Sequence, residues 1–291
     1  MFNALTKTIK PWCGIACAAL LSLGMASCGG NPKSSDEAQA MLAEAQSLSE
    51  QQLFGKAIAM LDSLCRTRPT ETDAVREAMH LKAVTLEKSF EAQLVQVDSI
   101  IAANVPVVES IAPRFKAVKT EDMVEGYRVH TAVAGKELIN RTDIEPRIDD
   151  GGNLYIVTLL HGVAAHHDRL RVSCAAGSAE TQSVPYDNSR NYRFNDDGVI
   201  NEMVTFRYDE CADFARFIAE NSDAPLKLTF VGKKQHTVAM SDALKRAIAE
   251  SYRYSTAVRT GMKAEHDKML LDKKIEIARR QIEQTTIKKN D

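Results

Sequence analysis

Tryptophan is nearly absent from this sequence, and positive charge is not in excess. The single tryptophan is Trp12, and aromatic residues make up 6% of the 291 residues. Sugar-binding modules often stack their ligand on exposed tryptophan, so its scarcity argues against a tryptophan-lined sugar site. The formal net charge is −2. A polyanion-binding protein needs a clustered basic surface, so nucleic acid is not a predicted partner.

Sequence motifs of known chemistry are missing too. No Gly-x-Ser-x-Gly occurs, and neither Cys174 nor Cys211 has the neighbours that mark a catalytic thiol. The VGKK segment at 231–234 is not a phosphate loop, because the upstream glycine and the following Ser or Thr are absent. We therefore predict no catalytic residue and no cofactor. Acidic residues are plentiful, so a hydrolytic carboxylate pair stays open as an alternative.

One group of metal-type ligands stands out. His161, His166, His167 and Asp168 follow an apolar strand pattern and fall in the loop after it. Imidazoles and a carboxylate near a turn are the ligands that zinc prefers. The helical His-x-x-x-His spacing is missing, and no further ligand pair accompanies the group. We therefore predict a solvated loop without a functional metal.

Near the start of the chain lies a short apolar run, residues 15–28, IACAALLSLGMASC. It follows Lys7 and Lys10, and no acidic residue occurs before Asp36. The run has 14 residues, fewer than the roughly 20 that span a bilayer. A basic start, a short apolar segment and small residues at its end are typical of a secretory signal, here residues 1–27.

The end of that run, Met25-Ala26-Ser27-Cys28, resembles the lipobox of bacterial lipoproteins. Members of that family are cut before the cysteine, and lipid is attached to it. The resemblance implies lipid attachment at Cys28 and anchoring to the outer membrane, on its periplasmic or cell-surface face. An ordinary cleaved signal is the alternative. Removing residues 1–27 takes away two of the 37 basic residues and none of the 39 acidic ones, which leaves a formal charge of −4.

Three cysteines remain after Cys28, so at most one internal disulfide can form. They are Cys65, Cys174 and Cys211. The last two fall in one strand-rich region of an exported chain, and an oxidising compartment permits a disulfide there. We predict that Cys174 and Cys211 pair.

Helical patterns follow a polar tether at 28–37. Apolar residues recur at helical spacing in two short segments that Arg68-Pro69 ends. Ala45, Ala57 and Pro69 lie twelve apart, which resembles one tetratricopeptide unit. A lone unit cannot bury its apolar face. A third, long helix from Asp73 is expected to cover it, completing a helical region at 38–104.

Strand patterns begin after a two-proline linker predicted at 105–114. Seven or more short strands and one helix near 211–221 indicate an antiparallel, sandwich-like domain at 115–240. A long helix is predicted over 241–291, and its Leu271, Ile275, Ala278 and Ile282 have coiled-coil spacing. This seam is expected either to dimerise or to pack back on the N-terminal helices. The fold class is α+β.

These patterns favour a non-catalytic module of the bacterial envelope. The chain resembles surface or periplasmic lipoproteins with no assigned activity. Its expected partners are a membrane, through the lipid, and a protein or glycan on the β-rich domain. The alternatives are an envelope hydrolase and a glycan-binding protein. A polar cleft with converging His, Asp or Glu would favour the hydrolase.

Overall fold

The structure is a computed structural model that describes residues 33–121, 123–135 and 140–287. Cys28, the signal segment and the first part of the tether lie outside the described residues. The predicted α+β class is confirmed, with N-terminal helices, antiparallel sheets and a long C-terminal helix.

The described residues form five α-helices and ten strands. The helices are α1 (Lys33–Glu50), α2 (Phe54–Thr67), α3 (Thr72–Ile111), α4 (Tyr208–Glu220) and α5 (Asp242–Ile287), with a short 3₁₀ turn at Ala112–Arg114. The strands are β1 (Phe115–Val118), β2 (Tyr127–His130), β3 (Asp143–Asp149), β4 (Leu154–His161), β5 (Arg169–Cys174), β6 (Gly177–Glu180), β7 (Asn191–Asp196), β8 (Val199–Phe206), β9 (Lys227–Val231) and β10 (Gln235–Ala239).

Two antiparallel sheets pack face to face, as the strand patterns predict. One has the order β1-β2-β3-β4-β8-β7 and the other β10-β9-β5-β6. Strand β4 lies inside the larger sheet, and its side chains alternate between two apolar clusters. Ile156 and Leu160 join the core between the sheets, whereas Val157 and Leu159 form a small cluster on the other face.

The three-helix unit formed by α1, α2 and the first turns of α3, residues 33–85, is called the foot here. Its core contains Ala45, Leu61 and Leu64, all fully buried. Ala57 is also fully buried, as expected where a small residue lets two helices cross closely. The long third helix covers the helical hairpin, as the sequence predicts. Helix α1 begins at Lys33, so the tether predicted for 28–37 is shorter than expected.

The linker predicted at 105–114 is wrong, because α3 continues to Ile111 with Pro106 inside it. Proline removes one backbone hydrogen bond, which leaves the carbonyl of Ala102 without its helical donor. Both residues lie on the exposed side of the helix, where water can hydrate that carbonyl. Packing of Ile101 and Val108 toward α5 on the other side keeps the helix continuous.

Helices α3 and α5 run antiparallel and make the most extensive helix contact of the described chain. Charged pairs mark the alignment: Lys268 Nζ lies 2.6 Å from Asp98 Oδ1, and Arg279 Nε lies 2.6 Å from Glu87 Oε1. The residues of α3 turned toward α5 alternate in steps of four and three: Phe90, Leu94, Val97, Ile101, Asn104 and Val108. This is the spacing of a coiled coil.

The predicted seam of α5 forms the other half of this coiled coil. Leu271, Ile275 and Ala278 are buried, and Ile282 is half-buried. The alternative in which this segment packs back on the N-terminal helices is therefore the one observed. The pair formed by residues 86–107 of α3 and 259–282 of α5 is called the stalk here.

By length and composition, one helix of the described chain, Thr72–Arg114, is apolar enough to cross a membrane. None of its most apolar window is fully buried. Two paired helices cover only one side of each other, which explains that exposure. Charged residues of α5, among them Lys268 and Arg279, accompany the helix along this stretch. Taking them into lipid would be costly, so we interpret the apolar stripe as the packing face of the stalk.

The β-domain, defined here as residues 108–258, includes parts of both long helices. Met240, Leu244 and Ile248 from around the start of α5 belong to the core between the sheets, and Val108 and Ile111 of α3 pack against it. The boundary predicted at residue 240 is therefore misplaced, because residues 115–240 do not complete their own core. The embedded helix α4 adds Phe214 and Ile218 to this core.

Direct contacts fix the first half of α5, which continues into the stalk, to the sheets of the β-domain. Ser255 of α5 is fully buried, and its hydroxyl donates to the carbonyl of Gly152 at 2.6 Å while accepting the Leu154 N–H at 3.1 Å. A Cβ at Gly152 would lie 2.6 Å from a methyl of Val258, so only glycine fits this turn. The helices therefore enter the β-domain through packed contacts where the sequence predicts a linker.

Candidate functional site

A polar cleft of about 550 Å³ opens in the β-domain at one edge of the two sheets. Three segments form its walls: the loop before β5, the segment that leads into β7, and the turn between β9 and β10. The lining residues are His166, Asp168, Arg169, Pro185, Tyr186, Asn191, Arg193, Gly232 and Lys233.

A buried carboxylate lies directly behind the lining of this cleft. Glu202 of β8 is 1% exposed and accepts three hydrogen bonds from one loop. These come from the backbone N–H of His166 at 2.7 Å, the backbone N–H of His167 at 3.0 Å and His167 Nδ1 at 2.9 Å. His166 has a positive φ of 55°, and the chain at this point directs two consecutive N–H groups at one acceptor.

The three hydrogen-bond donors around Glu202 determine whether its carboxyl group is charged. Burial is the largest influence and raises the pKa of the carboxyl group. The hydrogen bonds from His167 and from the two backbone N–H groups outweigh it together and hold the pKa below its ordinary value. The region directly behind the cleft therefore carries a buried negative charge that is fully hydrogen-bonded.

His167 connects this carboxylate to a hydroxyl group. Its Nε2 lies 3.0 Å from Thr158 Oγ1, so Thr158, His167 and Glu202 form the chain of contacts found in hydrolytic triads. All three side chains are sealed from solvent, at 0%, 0% and 1% exposure. The Thr158 hydroxyl also contacts the backbone N–H and carbonyl of Val204 at 3.1 Å each. The triad holds β4 to β8, and no substrate can reach its hydroxyl.

Gly232 allows the turn between β9 and β10 to reach the cleft. A Cβ at this position would lie 2.3 Å from the His166 carbonyl oxygen and 2.6 Å from that of Ala165. Both are backbone atoms, which cannot yield as the end of a side chain can. Two backbone hydrogen bonds fix the approach, from Lys234 N to the Ala165 carbonyl at 3.1 Å and from Asp168 N to the Val231 carbonyl at 3.0 Å.

Asn191 joins the two remaining walls. Its Nδ2 donates to the His167 carbonyl at 3.2 Å and to the Val184 carbonyl at 2.7 Å. Because both N–H groups are used on carbonyls, the orientation of this amide is determined. Asp168 completes the link, since its Oδ2 accepts the Ser183 hydroxyl at 2.8 Å. The cleft is therefore preformed by hydrogen bonds between its own walls.

Positive charge dominates the lining. Arg169, Arg193 and Lys233 face a single lining carboxylate, Asp168. The Arg193 guanidinium lies 4.5 Å above the Tyr186 ring, and its Nε is 3.7 Å from Glu202 Oε1. That Nε is buried without a hydrogen-bond partner in the described part of the chain. The cleft can accept an anionic group.

The four residues considered as metal ligands separate in the structure. His166 and Asp168 line the cleft, His167 lies beneath it, and His161 Nδ1 contacts Asn201 Oδ1 at 2.9 Å away from the lining. Within residues 33–121, 123–135 and 140–287, no group of three His, Cys, Asp or Glu side chains is arranged to hold a metal.

Sequence reasoning missed Glu202, Asn191 and Arg193. Glu202 and Arg193 lie opposite each other on neighbouring strands β8 and β7. A signal was present, because Glu202 alternates with the core residues Val204 and Phe206 and so occupies an inward position. A charge at such a position requires buried partners.

The predicted disulfide does not form. Cys174 and Cys211 are both free thiols in the described chain, and Cys174 Sγ instead contacts Asn221 Oδ1 at 3.9 Å. Cys211 is fully buried in α4, and this burial raises its pKa to about 12. A thiol with that pKa is protonated at neutral pH and reacts poorly. Cys65 is also free.

A second, larger hollow of about 750 Å³ lies in the foot between α1, α3 and the end of α5. Its charged residues, among them Glu50, Arg76 and Lys88, are on exposed or half-exposed helix surfaces. No buried charged group supports it within the described residues. We place the candidate site in the cleft of the β-domain, because there buried polar groups hold the walls in position.

Comparison with protein-family models, with curated proteins and with solved structures finds no match for this chain.

Proposed function

We propose that this protein is a lipid-anchored, non-catalytic interaction module of the bacterial envelope. In this proposal Cys28 carries the anchor, and the β-domain carries the binding surface. The observation that carries the proposal is the stalk, which separates the end of the chain nearest Cys28 from the β-domain.

The dimensions of α3 support this role. Thr85 is its last fully buried residue in the foot, and Val108 is among its first residues packed against the β-domain. The 23 helical steps from Thr85 to Val108 span about 35 Å at the rise of an α-helix. Lys33 begins α1 only five residues after Cys28. A lipid on Cys28 would therefore keep the foot near the bilayer and the β-domain well away from it.

The cleft favours binding over turnover. Nucleophilic catalysis requires a nucleophile and a base that reach the substrate. The one hydroxyl–imidazole–carboxylate chain at this site is closed to solvent at every member. The open part of the cleft offers cationic groups, which suit recognition of a ligand.

Palmitate labelling in a bacterial lipoprotein-processing host tests the anchor. Cys28→Ser should abolish labelling and leave the chain uncleaved at the signal. Cys13→Ser changes a cysteine of the same segment upstream of the proposed cut and should label like wild type. Labelling of Cys28→Ser at the wild-type level would overturn the proposal.

A further inference from the structure

We infer that the cleft of the β-domain binds the carboxylate group of an acidic saccharide. This inference rests on the proposed function in one respect only, namely that the cleft is a binding site. The class of ligand is the new element, and binding of that ligand does not require a lipid anchor at Cys28.

The charge of the cleft selects an anion. Three cationic residues surround the opening, but Arg169 is already paired with Asp168 at 3.3 Å and with Glu180 at 3.4 Å, so Arg193 and Lys233 are the cations left to meet a ligand. Beneath them, Glu202 is occupied by three N–H donors. Arg193 Nε is buried and lies 3.7 Å from Glu202 Oε1, beyond hydrogen-bond distance, so the two terminal nitrogens of the guanidinium are the donors left for a ligand. A guanidinium group matches the geometry of a carboxylate through two parallel hydrogen bonds.

Tyr186 supplies a rigid platform beside this cation. Its side chain is 52% exposed, one ring face is covered by the Arg193 guanidinium, and Pro185 precedes it in the lining. The phenol hydroxyl donates to Asn188 Oδ1 at 3.2 Å, which fixes the ring. A flat, half-apolar ring next to an arginine suits a ligand with a C–H face and a nearby carboxylate, as in an acidic sugar ring.

The loop that carries Tyr186 is ordered before any ligand arrives. Asp187 Oδ1 accepts the backbone N–H groups of Ser189, Arg190 and Asn191 at 2.9, 2.8 and 2.9 Å. These hydrogen bonds lower the pKa of Asp187, so it stays charged at neutral pH. A loop fixed in this way loses little further freedom on binding, which favours affinity.

The lining argues for a saccharide over an acidic peptide. Pro185 and Tyr186 are its main apolar contributors, too few to form the row of side-chain pockets that an extended peptide fills. Recognition of an extended peptide relies on such pockets together with pairing to a strand edge. A cavity of about 550 Å³ is of the size that small ligands occupy.

Calorimetric titration of the full chain in detergent micelles tests the inference. The probes are digalacturonate, a glucuronate-containing disaccharide and sialyllactose, each compared with its carboxyl methyl ester. We expect at least one acid to bind and its ester to bind at least tenfold more weakly, as a lost charge-assisted hydrogen bond predicts. Binding of none of the three acids, or equal binding of acid and ester, would overturn the inference.

Variants then locate the binding. Arg193→Gln should weaken the acid at least tenfold, and Lys233→Gln, which changes an exposed turn residue, should weaken it severalfold without a risk to folding. Arg216→Gln removes an exposed arginine of α4 outside the lining and should bind like wild type. Unchanged binding in both cleft variants would contradict the assignment.

A peptide rich in glutamate distinguishes the remaining ligand class. Tighter binding of that peptide than of every acidic saccharide would overturn the saccharide assignment. The palmitate result is independent of all these titrations. A labelled chain that binds none of the acids would refute the ligand class and leave the anchor in place, whereas an unlabelled chain that binds one would do the reverse.

Discussion

The helical part of the molecule keeps its charged pairs on the surface, whereas the β-domain buries several ionisable groups. In the foot and the stalk, charged pairs such as Glu87–Arg279 and Asp98–Lys268 lie on the surface. The buried polar contact described there joins two hydroxyls, Ser49 and Thr85, at 3.1 Å. The β-domain instead buries ionisable groups, with Glu202 and His167 beneath the cleft and Glu250 and His130 at its junction with the stalk.

We interpret this difference as the division between a spacer, formed by the helices, and a binding part, formed by the β-domain. A spacer needs apolar seams and soluble surfaces, which α3 and α5 supply. A buried charge is destabilising unless hydrogen bonds compensate it, so its position usually reflects another requirement. In the β-domain one such compensated charge, Glu202, lies directly behind a cationic cleft. The contrast supports our proposal that the helices provide distance and the β-domain provides recognition.

Removing one buried charge should give the largest effect. Glu202→Gln replaces an acceptor of three hydrogen bonds with an amide that also presents donors, and should lower the free energy of unfolding by about 3 kcal/mol or more. The matched change in the stalk, Glu87→Gln, breaks a partly exposed pair with Arg279 and should lower it by less than about 1 kcal/mol. Urea unfolding followed by circular dichroism measures both. Equal losses of unfolding free energy in the two variants would contradict the contrast between the β-domain and the stalk.

Acid titration checks the cause of the Glu202 effect. Its pKa is lower in the folded chain than the ordinary value of 4.5, so the folded state binds fewer protons there. The stabilisation is therefore fully present above about pH 4.5 and is lost as the pH falls through the folded pKa. The difference in stability between wild type and Glu202→Gln should shrink below that pH. A difference that stays constant from pH 7 to pH 3 would show that charge is not its source.

A core truncation tests whether the foot and β-domain are separate cores. Leu61 is fully buried in the foot, and Leu61→Ala should weaken that core by about 3 kcal/mol. Hydrogen exchange followed by mass spectrometry should then speed up in residues 36–85 and stay unchanged in β4 and β8. Leu170→Ala, at a fully buried position of the β-domain, should give the opposite pattern. Faster exchange across both regions in either variant would contradict two cores.

Two Gly→Ala changes should have smaller effects of opposite sign. Gly232→Ala places a Cβ against the backbone of His166 and should destabilise the chain by about 1–3 kcal/mol. Gly261→Ala, in the stalk, adds a Cβ with nothing within 4 Å and should stabilise α5 by up to about 1 kcal/mol. Thermal unfolding compares the two. An increase in stability on Gly232→Ala would show that residue 232 does not lie as close to the His166 backbone as the structure places it.

Local patterns predicted the helical part well, because helix seams repeat within a few residues. The coiled-coil spacing from Leu271 to Ile282 and the alanines at 45 and 57 were visible in this way. The linker was mispredicted because Pro106 is a strong breaker signal, and only the distant partner α5 shows why the helix continues. The same contact explains why the domain boundary at residue 240 was misplaced.

The site was less predictable, because its residues come from segments far apart in sequence. His166 lies 36 residues before Glu202, and Gly232 meets His166 only because β9 pairs with β5. Spacing alone grouped His161 with His166 and His167, yet alternation along β4 and a tight turn separate them. The disulfide prediction failed for the same reason. Cys174 and Cys211 lie in one strand-rich region of the sequence, but the fold does not bring their thiols together as a pair.

The distance between the two ends of the molecule tests the stalk most directly. Cys65 in the foot and Cys174 in the β-domain are free, half-buried thiols that can carry spin labels. The remaining cysteines are changed to serine: Cys13, Cys17, Cys28 and Cys211. Pulsed electron spin resonance should give one narrow distance distribution centred beyond about 35 Å, the separation set by the stalk. A broad distribution, or a peak well below that distance, would contradict a rigid spacer between an anchored foot and a displayed binding domain.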